Sequence, residues 1–122
     1  MTRERLELAR LGEALALKAV KELGYKRLVS NYRCSLGEID LIAQDGDTLV
    51  FVEIKTRKGR SVAYAKEAVT QRKQRQISKV ALAYMKQYGY EDVKARFDVV
   101  AVSLTQDGPN IEVIKNAFDL AY

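Results

Sequence analysis

The stretch Thr48 to Lys55, TLVFVEIK, leaves the chain least freedom. Side chains alternate across a strand, so Val50, Val52 and Ile54 share one face, and Leu49, Phe51, Glu53 and Lys55 share the other. Apolar residues on both faces require a central strand covered on both sides. A carboxylate and an ammonium in such a strand are costly to bury unless they are paired, hydrogen-bonded or bound to a metal. Glu53 and Lys55 are two residues apart, so they point the same way with Cα atoms about 7 Å apart. That spacing lets Glu53 hold a cation while Lys55 reaches a water or phosphate beside it.

The rest of the chain supplies the cover. Helical spacing of Leu8, Leu11, Leu15 and Ala19 predicts a first helix from about Thr2 to Leu23, with Gly24 where a left-handed cap belongs. Lys26 to Arg33 reads as a strand and Ser35 to Gly37 as a break. Glu38 to Gln44 and Thr48 to Lys55 form a hairpin around Asp45-Gly46-Asp47. A basic loop leads to a second helix, Thr70 to Tyr88, with Ile77, Val80, Ala81, Tyr84 and Tyr88 on one side and Gly89 as its stop. Arg96 to Thr105 is a further buried strand, Gln106 to Asn110 a turn, and Ile111 to Ile114 a short last strand. The order is α-β-β-β-α-β-β, an α/β fold with a mixed sheet flanked by helices. At 122 residues it is expected to be a single domain over 1–122.

Composition excludes several chemistries. There is no histidine, hence no histidine-based triad, imidazole base or histidine-ligated zinc. Cys34 is the only cysteine, which excludes an internal disulfide and a multi-thiolate site and fits a reducing, cytoplasmic setting. No apolar run approaches the length of a membrane span, so no membrane partner is expected. Neither a phosphate-cradling G-x-x-x-x-G-K-[ST] nor a G-x-G-x-x-G occurs.

Positive charge is segregated. Lys55 to Lys79 holds nine basic residues against Glu67 alone, a net +8, while the remainder has 12 basic and 15 acidic residues, a net −3. Such a patch attracts polyanions, nucleic acid being the commonest. Arg57, Lys58 and Arg60 in the loop, with Arg72, Lys73, Arg75 and Lys79 on the second helix, are the candidate phosphate contacts. The alternative is an ordinary solvated helix face. No recognition helix or aromatic cluster is visible, so shape rather than base sequence would be read. Tyr84, Tyr88 and Phe97 read as packing residues, and Asp98, inside an apolar strand, as the buried partner of Arg96 or another basic residue.

The neighbouring strand carries Glu38 and Asp40 on a common face. If Gln44 pairs with Asp47 or Leu49, Asp40 faces the same side as Glu53; if it pairs with Thr48, the two face opposite sides. In the first case two carboxylates converge, and a hard divalent cation relieves their repulsion, Mg²⁺ being the natural occupant of an oxygen-only site and Mn²⁺ an alternative. Otherwise Glu38 or Asp40 simply pairs with Lys55 or Arg33 across strands.

Asp40, an apolar strand, a turn and then Glu53-Ile54-Lys55 resemble the D…ExK signature of the PD-(D/E)xK nuclease superfamily, whose restriction-endonuclease-like core is α-β-β-β-α-β. Ile39 stands where that signature usually has proline. More narrowly, Gly37 to Arg57 (GEIDLIAQDGDTLVFVEIKTR), with Asn31 and Arg33 before it and Arg96-Phe97-Asp98-Val99-Val100 after it, resembles the YraN-like family of small bacterial proteins. That family is similar in turn to archaeal Holliday junction resolvases. The resemblance implies metal-dependent hydrolysis of DNA, on branched or damaged structures, with Asp40 and Glu53 as metal ligands and Lys55 stabilising the attacking water and phosphoryl charge. It implies Glu13 as the first-helix acid of the site, the alternative being a solvent-facing helix glutamate. A catalytically inactive nucleic-acid-binding module of the same fold is the competing expectation, and a homodimer would suit an enzyme that cuts two strands.

Overall fold

The structure is a computed structural model that describes residues 2–59 and 69–121. Helix α1 (Arg3–Glu22) opens at Thr2, whose hydroxyl accepts the Arg5 N–H at 3.2 Å, and the chain leaves it through Gly24 at φ 93°. Strands β1 (Lys26–Cys34), β2 (Gly37–Asp45) and β3 (Thr48–Lys58) follow as an antiparallel meander. Helix α2 (Gln71–Tyr88) then crosses over to β4 (Lys94–Thr105), which runs parallel to β3, and β5 (Gly108–Phe118) returns antiparallel. The sheet order is β1-β2-β3-β4-β5 and the topology is the expected α-β-β-β-α-β-β. Among the described residues no helix is long and apolar enough to cross a membrane.

Two cores lie on the two faces of the sheet, as the doubly apolar Thr48 to Lys55 pattern requires. Ala16 and Val20 of α1 pack on Leu41, Ala43, Val50, Val52, Val100 and Val102. Ile77, Val80, Ala81 and Tyr84 of α2 pack on Ile42, Leu49, Phe51, Phe97 and Val99. The face that α1 buries is the small-residue stripe Gly12, Ala16 and Val20, while Leu11 is 49% exposed. Gly12 is required by contact: a Cβ there would lie 1.8 Å from Thr56 Oγ1. The helix thus sits directly on the end of β3.

Three expectations need correction. β3 continues through Lys58, so Arg57 and Lys58 are strand residues rather than loop residues. Extra pairs with β4, as far as Lys58↔Leu104, carry the strand on. The last strand is 11 residues long instead of the four from Ile111 to Ile114, and its turn is only Gln106 and Asp107; an edge strand with polar outward residues has a weak apolar signature. Tyr88 packs at the rim, 54% exposed, with its ring tilted against Tyr84 at 4.7 Å, and Tyr32 and Tyr90 also meet the Tyr84 ring, so tyrosines scattered in sequence form an aromatic cluster that the sequence does not show.

Candidate active site

Gln44 pairs with Leu49, one of the two registers that place Asp40 and Glu53 on a common side. The paired residues run from Asp45↔Thr48 to Leu41↔Val52, and one more step sets Asp40 opposite Glu53. There the ladder ends. The Asp40 side chain takes the place of a main-chain acceptor, its Oδ2 receiving the Ile54 N–H at 2.8 Å. Alternation also slips at Asp40: Ile39 packs in the core under α2 with Ile42, although Leu41 lies under α1. Across the strand pair, Asn31 has φ 55°. The chain rotates at this point, which brings the Asp40 carboxylate into the fork between the strands.

Glu53 is 5% exposed, and the Asp40 carboxylate lies close enough to act on it electrostatically. Burial first, and the Asp40 charge second, push its pKa up to about 8, against the weaker pull of Lys73 and Lys55. Both lysines stand 3.9 Å from Glu53 Oε2, beyond hydrogen-bond length, so neither neutralises it closely. Lys55 comes from β3 and Lys73 from the first turn of α2.

A cleft of about 510 Å³ opens on the α1 side, lined by Arg5, Glu13, Asn31, Asp40, Lys55 and Thr56 among others. Glu13 is therefore a wall of the same cleft as Asp40, and its Oε1 accepts the Asn31 side-chain N–H at 2.8 Å. Close seating of α1 through Gly12 is what carries the neighbouring Glu13 to the strand ends. Glu38 takes the other course weighed from the sequence: it pairs with Arg33 at 3.0 Å on the exposed surface.

The basic tract divides. Lys55 and Lys73 meet at Glu53, and Arg57 lies two residues further along the face of Lys55, with its Nε buried and unpartnered among the described residues. Lys58 points to the other face and pairs with Glu4 at 3.6 Å. Arg72, Arg75 and Lys79 are exposed on α2, on the side away from the core, while Arg60 lies outside the described residues. Sequence reading grouped Lys73 with these surface cations. The signal that separates it is its position four residues before Ile77 and seven before Val80, on the buried face of the helix. Arg5, Asn31 and Thr56 were missed as lining residues, since nothing local in the sequence links them to the strand motif.

Asp98, fully buried, is held by the Tyr25 hydroxyl at 2.6 Å, the Arg96 Nε at 2.9 Å and the Asn116 N–H at 3.0 Å. Arg96 continues to Asp45 at 2.7 Å and holds that carboxyl below its ordinary range. This network lies on the α1 face of the sheet, with Asp98 in register with Val52, one residue before Glu53, and Arg96 is the partner expected for Asp98.

The donor set at the fork is oxygen only. Two adjacent carboxylates, one buried and short of compensating charge, fit a hard divalent cation, which would offset the cost of ionising Glu53. Among the described residues no group of three His, Cys, Asp or Glu side chains converges, so water or substrate would complete such a shell.

A family model described as "Uncharacterised protein family UPF0102" matches residues 12–102, which include both the GEIDLI and the FVEIKTR segments. A UPF0102 protein of Syntrophus aciditrophicus is 49% identical over 119 residues, 98% of this chain and 94% of the relative. One from Geotalea daltonii is 52% identical over 116 residues, 94% and 91% of the two chains, and one from Geobacter sulfurreducens 52% identical over 112 residues, 91% and 88%.

Proposed function

The chain belongs to the UPF0102 family, and from that premise and the geometry of the fork we propose that it hydrolyses phosphodiester bonds of DNA with the aid of a divalent cation. The family description states no activity, so the reading rests on the site. The observation that carries it is the pairing of Asp40, anchored on the Ile54 N–H at 2.8 Å, with the buried Glu53 between two lysines. Mg²⁺, or alternatively Mn²⁺, would be held by Asp40 and Glu53; when bound, such an ion polarises a phosphoryl oxygen and makes its water a better nucleophile.

The residues of the chain divide the remaining work. Lys55, 30% exposed in its side chain, faces the substrate and offsets the extra negative charge of the transition state. Asp40 is fixed by a main-chain N–H and does not have to be ordered when substrate arrives. Glu13, oriented by Asn31, stands on the wall of the cleft, where it can accept a proton from a water molecule. Arg5 on that wall, with Arg57, Arg72, Arg75 and Lys79 around the site, would attract the backbone phosphates without reading base sequence.

Purified protein incubated with labelled linear, flapped and four-way DNA, and with RNA, in Mg²⁺, Mn²⁺ or EDTA tests the proposal. Metal-dependent cutting of DNA that disappears in Asp40→Asn and Glu53→Gln supports it; cutting that survives both substitutions belongs to a contaminant and removes the support. A second reading, a nucleic-acid-binding module without turnover, is favoured by the limited donor set of two close carboxylates. Tight, salt-sensitive binding with no cutting in any metal would select that reading.

A further inference from the structure

Two clefts are lined by residues that reach Glu53, Lys55 in one and Lys73 in the other. The α1-side cleft holds Asp40 and Lys55. On the α2 side a second cleft, of about 360 Å³, is lined by Arg33, Cys34, Gly37, Glu38, Lys73 and Gln76. Lys73 connects this second cleft to Glu53, since it lines the cleft while its Nζ stands 3.9 Å from Glu53 Oε2.

The second cleft has the chemistry of an anion site. Among the described residues, Glu53 is the only acid within ion-pair range of Lys73. The one carboxylate in the lining, Glu38, is engaged by Arg33 at 3.0 Å, and that arginine is 76% exposed in its side chain and free to swing. Gly37, at φ 142°, lets the Gln76 amide lie close over the β1–β2 turn: a Cβ there would come within 2.9 Å of Gln76 Nε2. An ammonium, a guanidinium and an amide thus face one small space beside the carboxylate pair.

A nucleic-acid strand is a row of negative charges, so whichever phosphate is attacked at the fork, its neighbours must be accommodated beside Asp40 and Glu53. Without cations on the α2 side, the neighbour there would meet those carboxylates and Glu38 uncompensated. We infer that the second cleft is a phosphate subsite, holding a backbone phosphate adjacent to the attacked one. Lys73 and Arg33 are its cations and Gln76 its amide donor. The inference rests on the hydrolytic reading above and gives the strand a direction, crossing Glu53 from the α1 layer to the α2 layer.

A chemical double-mutant cycle tests this. The DNA form that the protein binds best is prepared with a single uncharged methylphosphonate at either neighbour of the cut position. Binding to the full chain is followed by fluorescence anisotropy in Ca²⁺ as the probe metal, over a range of salt. Lys73→Ala is expected to lower the log–log salt slope by about 1. The same variant, and Arg33→Ala, should become indifferent to the methylphosphonate at one neighbour while remaining sensitive to the one at the other. Both side chains reach the surface, so folding is not at stake. If the wild-type protein binds DNA but Lys73→Ala and Arg33→Ala keep its salt slope, or their losses add to those of the methylphosphonate at both neighbours, the subsite is wrong and the hydrolytic reading stands. If the wild-type protein binds none of the DNAs, the hydrolytic reading fails and takes the subsite with it.

Discussion

Glu53→Gln should make the metal-free protein more stable, and the gain should depend on pH. In the fold the Glu53 carboxyl is pushed up to about 8 from 4.5, chiefly by burial and by Asp40. Between those two values the native state keeps a proton that the unfolded chain has released, so stability falls as pH rises through the window. Above pH 8 both states are ionised and the loss is complete. At 1.36 kcal/mol per pKa unit the ceiling is about 5 kcal/mol, and about 3 kcal/mol at pH 7. Local rearrangement and water entry on ionisation bring the expected gap at pH 9 to about 1–3 kcal/mol. Glutamine preserves the shape and removes the charge. Urea unfolding in EDTA at pH 4.5, 7 and 9 measures the difference: the curves should nearly coincide at pH 4.5 and separate progressively, with the variant the more stable. Added Mg²⁺ should stabilise the wild type and leave the variant nearly unmoved, because only a state that binds the ion gains from it. A gap equal at all three pH values, or a variant less stable at pH 9, would refute the claim that Glu53 is a desolvated, undercompensated carboxylate.

Gly12→Ala should destabilise the fold by about 1–3 kcal/mol, because the new methyl group overlaps Thr56 Oγ1, and should weaken cleavage by lifting Glu13 off the cleft. Adding Thr56→Ala should recover part of the loss in the same urea titration, whereas a simple helix-propensity effect, which favours alanine, would show no loss to recover. On the α1 face of the sheet, Arg96→Met should cost about 3–5 kcal/mol by leaving Asp98 buried without its cation. Tyr25→Phe, which removes one 2.6 Å hydrogen bond to the same carboxylate, should cost about 1–3 kcal/mol; thermal melts that show neither loss would contradict the network.

The element order and the carboxylate pair were legible because both are local. Period-two and period-3.6 patterns locate strands and helices, and the tight turn at Gly46-Asp47 restricts the register to a few choices, of which Gln44↔Leu49 is realised. The rotation at Asp40 was not legible. Strict alternation assigns Ile39 to the side of Leu41, and only the ladder's end and the positive φ at Asn31 release it. The split of the basic tract was half legible: helical geometry separates Lys73 from Arg72, Arg75 and Lys79, but its distance from Glu53 depends on how α2 crosses the sheet. The same holds for Gly12, a break in an otherwise leucine- and alanine-rich helix whose reason, Thr56, lies 44 positions away in the chain.

Two buried acids, Glu53 and Asp98, interrupt the apolar strands of this sheet, and their surroundings separate architecture from candidate chemistry. Asp98 is met by a tyrosine hydroxyl, a guanidinium and a main-chain N–H, all at 3.0 Å or closer, so its lone pairs are occupied and its charge is matched. Glu53 is nearly as buried, yet it faces a second carboxylate and two ammonium groups that remain 3.9 Å off. A fold selected only for stability would complete the second arrangement as it completes the first, for instance with a glutamine or by drawing one lysine a single ångström closer. Leaving it incomplete costs stability in the absence of a ligand and yields a preformed position for positive charge beside a cleft. If that is why the carboxylate is there, Glu53→Gln and Asp98→Asn must behave oppositely, the first gaining stability and losing metal response, the second losing stability with the metal response intact. Equal losses in both would make Glu53 a second structural acid.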